Sequence, residues 1–308
     1  IRATESVSYT PYFAFGAIPG GLPVNPGDIA PINPDYPLLQ QAMVGFYSSG
    51  GIDHAVTARS SVGVDYSVGL TDYRHSAERY DNWAAGGNFR RRLTRRTSAS
   101  FGYHYRHASY RDQADSSRSD RTHDFTFGMD YTKPLSPSRA MKMGFTVGTS
   151  LYSTITPFVI GPGNSFSLNN HVLVNASAYL SRQFSRNWSG SINYNRALQY
   201  VQGFQTPFFS DSVAGTISGN LNRRTTTHFG GAYSSGQIRP TGSGQGYSTY
   251  SGQAGLQLAV NRYLAAFADY DYYHYRFDDT VVLPIAINQG LNRHSVRAGV
   301  NLWLPMLH

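Results

Sequence analysis

From residue 57 onward, apolar side chains recur at every second position in one segment after another. In residues 122–133, Phe125, Phe127, Met129 and Tyr131 share one face, with Thr126, Gly128, Asp130 and Thr132 on the other. In residues 248–261, Tyr250, Gly252, Ala254, Leu256, Leu258 and Val260 stand opposite Ser251, Gln253, Gly255, Gln257 and Asn261. A period of two is the pleat of a β-strand with two unlike surroundings. Soluble sandwiches alternate as well, so length has to separate the two cases. The runs here last roughly 12 to 15 residues, against the usual 5 or 6 of globular sheets and the 9 to 11 that a tilted strand needs to cross a bilayer.

The connections alternate between short and long, as a membrane barrel requires. The short turns fall at Leu93–Arg96, Leu135–Arg139, Ser185–Asn187, Arg223–Thr226 and Asn261–Arg262, and the long polar loops at 112–121, 154–168, 203–209, 239–247 and 277–291. Between them lie strands at 57–73, 80–92, 97–111, 122–134, 140–153, 169–184, 188–202, 210–222, 227–238, 248–261, 263–276 and 292–304, with two less periodic ones at 5–17 and 40–47. The expectation is an all-β, transmembrane, antiparallel up-and-down barrel of about 14 strands, with 12 or 16 as alternatives, short turns in the periplasm and long loops outside. Residues 1–308 form one such unit, and an even strand number puts both termini in the periplasm.

Composition supports this reading. Charged residues are 14% of the chain, aromatic residues also 14%, and there are 31 Gly; cytosolic domains average about 25% charged. No apolar run approaches the 20 or so residues of a membrane helix. The absence of cysteine excludes disulfides, thiol catalysis and Cys-ligated metals. Ile1 opens directly onto polar sequence, so the chain is expected to be a mature form. The net charge of +8 rests on arginine, since Lys133 and Lys142 are the only lysines. Planar, weakly hydrated arginine suits pore walls and phosphate or carboxylate recognition. The basic residues are spread along the chain without a recognition helix, so no nucleic-acid partner is expected.

The hairpins resemble one another. Tyr179-Leu180-Ser181-Arg182-Gln183-Phe184-Ser185-Arg186-Asn187-Trp188-Ser189 echoes Phe89-Arg90-Arg91-Arg92-Leu93-Thr94-Arg95-Arg96-Thr97-Ser98. Each is a strand end, a basic turn and a Ser/Thr-rich strand start. At these hairpins, over residues 57–304, the chain resembles the β-barrel porins encoded beside bacterial exopolysaccharide synthesis and export systems. That resemblance implies an outer-membrane location and a polysaccharide cargo. It implies outer-membrane lipid, lipopolysaccharide and periplasmic export components as partners. It carries no catalytic signature.

If the apolar face meets lipid, parity assigns the lumen-lining charges: Arg59, Asp65, Arg90, Arg106, Asp130, Lys142, Asp269, Asp271 and Arg297. Tyr47, Tyr110, Tyr152, Tyr179, Tyr273 and Tyr275 share that face, offering stacking surfaces for a saccharide. Small polar residues fill most other inward positions and leave room for water. Residues 16–39 are rich in Pro and Gly and form no long element. They make an extracellular or lumen-inserted loop in which Pro19, Pro23, Pro26 and Tyr36 are candidates for a constriction or lid. His104 and His228 also point inward, and Asp269 and Asp271 form an acidic pair. No Gly-x-Ser-x-Gly, His-Glu-x-x-His or phosphate-loop motif accompanies them, so no enzyme, metal or cofactor is expected. A passive outer-membrane channel, the exit for a secreted polysaccharide, is the leading expectation. A general porin for small sugars or ions, and a structural barrel that anchors partners, are the alternatives.

Overall fold

The structure is a computed structural model that describes residues 2–10, 13–14, 37–39, 43–73, 79–111, 117–136, 139–160, 163–199, 207–238, 246–279 and 289–302. Its elements are β1 (Arg2–Thr10), β2 (Phe13–Ala14), β3 (Pro37–Leu39), β4 (Met43–Thr57), β5 (Ser60–Tyr73), β6 (Arg79–Arg92), β7 (Thr97–Arg111) and β8 (Ser117–Ser136). There follow β9 (Arg139–Ile160), β10 (Gly163–Gln183), β11 (Trp188–Gln199), β12 (Phe208–Asn220), β13 (Thr225–Ile238), β14 (Gly246–Ala259), β15 (Leu264–Phe277) and β16 (Gly290–Leu302). Fourteen of them form one antiparallel sheet in which each strand pairs with its neighbours in the order β1-β4-β5 and onward to β16, while β2 and β3 make a separate two-stranded ribbon. The expected strand number and meander are therefore present, with β1 and β16 as the sheet's two edges.

Several boundaries differ from expectation, beginning with the N-terminal strand, which is Arg2–Thr10 where 5–17 is expected, Phe13 and Ala14 belonging to the separate ribbon. Residues 48–57 belong to β4, whose Ser48-Ser49-Gly50-Gly51 stretch offers no apolar alternation to reveal it. Residues 154–168, expected as a loop, continue the β9–β10 ladder from Thr154 opposite Asn169 to Ile160 opposite Gly163. Residues 117–121 begin β8 rather than end a loop.

Four of the short turns share one construction. Leu93, Phe184, Leu221 and Val260 each donate their backbone N–H to the carbonyl four residues on, at 2.9 Å in every case. The next residue, Thr94, Ser185, Asn222 or Asn261, then accepts two backbone N–H bonds on its side-chain oxygen, at 2.8 to 3.2 Å. Short polar side chains that bond their own backbone are what fix such turns.

One face of the sheet is apolar and uncovered. Val296 is 75% exposed, Val172 69% and Phe101 56%. Soluble proteins do not leave such a surface bare, whereas lipid accepts it at no cost. Charges bracket the band: on β8, Lys133 and Arg121 lie on this outward face, with His123, Phe125, Phe127, Met129 and Tyr131 between them. The twelve-residue interval is about 40 Å along the strand and about 30 Å after a tilt of about 40°, the thickness of a hydrocarbon core.

Val147 lies near the middle of this band, opposite Phe127 and Ala176. Val147→Arg is expected to destabilise the protein by about 2 to 4 kcal/mol in urea unfolding from phospholipid vesicles. Ser177→Arg, on the opposite face, should cost much less; equal losses would contradict the assignment of faces.

Candidate functional site

The opposite face is the candidate site. Register alone builds it: Arg90 faces Ser100, Ser100 faces Gly128, Gly128 faces Thr146, and Thr146 faces Ser177, one row crossing five strands from β6 to β10. The row continues through Asn195 and Ser212 to Ser234 and Thr249 on β14. A second row runs from Asp130 through Gly144 and Tyr179 to Asn193. Small residues dominate the first row and polar ones the second, so the wall is polar throughout.

Asp65, Arg90, Arg106, Asp130, Lys142, Asp269, Asp271, Tyr273 and Arg297 all lie on this face. The charges sit mostly in cross-strand pairs. Arg90 meets Asp130, whose second oxygen accepts the Tyr179 hydroxyl at 2.9 Å. Arg297 Nη2 lies 3.1 Å from Asp271 Oδ2, His104 Nε2 3.4 Å from Asp65, and His228 Nε2 3.8 Å from Asp269. His104 and His228 thus each meet a carboxylate, and the two acids of the Asp269/Asp271 pair each face a basic side chain. Glycine makes room for these groups: a Cβ at Gly144 would stand 2.6 Å from Tyr179 Cε1 and 2.5 Å from Asp130 Oδ1.

Arg59 does not line the wall. It lies with Ala58 in the turn between β4 and β5, where its carbonyl accepts the Arg92 N–H at 2.7 Å and its side chain is exposed. The strand expected from residue 57 takes in Arg59 because Ala58-Arg59 contains no Gly, Pro or Asn to mark a turn. Pro19, Pro23, Pro26 and Tyr36 lie outside the described residues.

The structure adds two inward clusters that alternation alone did not single out. Near the long-connection end, Asp120 is fully buried. It receives Arg118 Nε at 3.1 Å and the Thr154 hydroxyl, while Arg118 Nη2 donates to Tyr152 at 2.8 Å. One step lower, Asp124 accepts the Ser150 hydroxyl and the Asn175 amide, the latter at 3.3 Å. The polar run Ser117-Arg118-Ser119-Asp120 carries no apolar signal, which is why it read as loop.

Known structures share the fold. The ferric yersiniabactin uptake receptor FyuA from Yersinia pestis aligns over 87% of this chain and 48% of its own, with a TM-score of 0.52 and 10% identity. The FrpB iron transporter from Neisseria meningitidis aligns over 77% and 44%, with a TM-score of 0.52 and 10% identity. The chain therefore spans about half the length of these two proteins. No protein-family model matches the chain, and no curated protein matches it in sequence. At such identity the likeness establishes the fold, that of bacterial outer-membrane β-barrels.

Buried and exposed ion pairs in this wall should behave differently. Arg118→Met leaves Asp120 charged and buried, a loss of roughly 3 to 5 kcal/mol for a broken buried pair. Arg297 is 55% exposed, so Arg297→Met should cost under about 1 kcal/mol. Urea unfolding of both variants checks the contrast, and similar values would contradict it.

Proposed function

We propose that the protein is an outer-membrane channel that passes a secreted polysaccharide. The observation that carries the reading is the inward row of hydroxyl, amide and glycine positions running unbroken from Ser100 on β7 to Thr249 on β14. Such a wall replaces water around sugar hydroxyls by many weak, equivalent hydrogen bonds, and a polymer slides along equivalent sites where one strong site would hold it. The cross-strand pairs act in the same direction. Arg90 with Asp130 and Arg297 with Asp271 cancel each other locally, so the wall neither traps nor repels a polyhydroxyl chain by charge. Tyr179 and Tyr273 on the same face supply flat surfaces for sugar rings.

Planar-bilayer recordings test this. The reading predicts an open conductance that falls, in a concentration-dependent way, as oligosaccharides of rising length are added. Absence of conductance sinks the channel, and a conductance indifferent to oligosaccharide leaves a general porin and removes the polysaccharide. Asp130→Asn releases Arg90 from its carboxylate, so the reversal potential in a salt gradient should move toward anion selectivity; a shift toward cations would contradict the charge balance.

A further inference from the structure

The four short turns contain more than their geometry requires. In Leu93-Thr94-Arg95-Arg96-Thr97, Phe184-Ser185-Arg186-Asn187-Trp188, Leu221-Asn222-Arg223-Arg224-Thr225 and Val260-Asn261-Arg262-Tyr263-Leu264, the first residue closes the turn and the second caps it. The third is arginine every time. Arg95, Arg186, Arg223 and Arg262 are exposed at the tips, and Arg59 occupies the tip of the β4–β5 turn in the same way. No Asp or Glu occurs within residues 57–61, 92–98, 133–141, 182–189, 220–226 or 259–264. This end of the sheet is thus a rim of one sign, in contrast to the balanced wall above it.

Position says what the rim meets. The first turn residue follows an inward-facing one, so Leu93, Phe184, Leu221 and Val260 continue the outward, lipid-facing parity, and each is about half exposed. Each tip arginine therefore sits two residues beyond the last apolar contact with the bilayer, at the depth of the headgroups. Arg262 lies over the Tyr263 ring at 4.6 Å, and Trp188 and Tyr263 belong to the turn segments themselves, as interfacial aromatics do. A guanidinium at this depth offers paired donors to a phosphate. We propose that the tip arginines of the short turns bind the phosphates of anionic phospholipids in the leaflet that these turns border, fixing the depth and orientation of the barrel. The proposal does not depend on the cargo.

Full-length protein in bilayers with spin-labelled phosphatidylglycerol or phosphatidylcholine tests it. Wild type should retain the phosphatidylglycerol probe severalfold better, with a preference that shrinks as salt rises. Each single Arg→Gln change at Arg95, Arg186, Arg223 or Arg262 should lower that preference, by up to about fivefold for one charge at an anionic surface, and the quadruple variant should lose most of it. Arg111→Gln with Arg121→Gln, at the opposite end, should leave it intact. If the quadruple Gln variant does not insert, the quadruple Arg→Lys variant serves, with a reduced preference that salt removes. Equal retention of both probes by wild type, or full preference in the quadruple Gln variant, overturns the proposal. Binding of soluble polyuronate by the same arginines in phosphatidylglycerol-free bilayers, without lipid preference, would also overturn it and assign the rim to an acidic polymer.

Discussion

Every backbone N–H and C=O of a strand in lipid must find its partner in the next strand, because the hydrocarbon supplies none. The rest of this structure depends on that constraint. It forces neighbouring strands into continuous antiparallel ladders, from Arg2 opposite Gly51 to Leu264 opposite Leu302. It makes the sheet's edges, β1 and β16, the places where pairing has to be completed in the membrane. Strict pairing also fixes side-chain parity, so a residue's face follows from its position in the ladder.

Parity then separates two solvents. The outward positions hold Phe, Val, Leu, Met and Tyr between bracketing charges, and the inward ones hold Gly, Ser, Thr and Asn with ion pairs that join adjacent strands or reach over an intervening one. The inward pairs are a consequence of register: Arg90 meets Asp130 because Ser98 stands opposite Asp130 and beside Ser100, the residue opposite Arg90. The arginine-rich rim lies where neither solvent rules, at the ends of the ladders, and there the turn segments hold no carboxylate to compensate the like charges.

How far the chain could be read in advance follows from the same physics. Strand β14 was legible because apolar and polar residues alternate from Tyr250 to Leu258, and the β12–β13 and β14–β15 turns because Asn222-Arg223 and Asn261-Arg262 punctuate them. The β4–β5 hairpin was not, since Ser48 to Gly51 lack an apolar face and Ala58-Arg59 lacks a turn residue, and this moved Arg59 from the wall to a tip. Of the inward charges, the face was readable from parity, but the partners were not. The pairing of His228 with Asp269, of Arg118 with Tyr152 or of Asp120 with Thr154 depends on register between strands, which a single alternating sequence does not contain. Asp124 and Asp120 illustrate the limit: both sit in polar surroundings in sequence, and only the ladder shows them facing Ser150 and Thr154.

The division into a lipid face and a wet face is open to direct test, because the chain contains no cysteine and single cysteines can be placed at will. Along β14, a water-soluble thiol reagent applied to the protein in vesicles should modify cysteines at Ser251, Gln253, Gly255 and Gln257 and spare those at Gly252, Ala254, Leu256 and Leu258. Modification without a period of two, or with the two sets exchanged, would contradict the account.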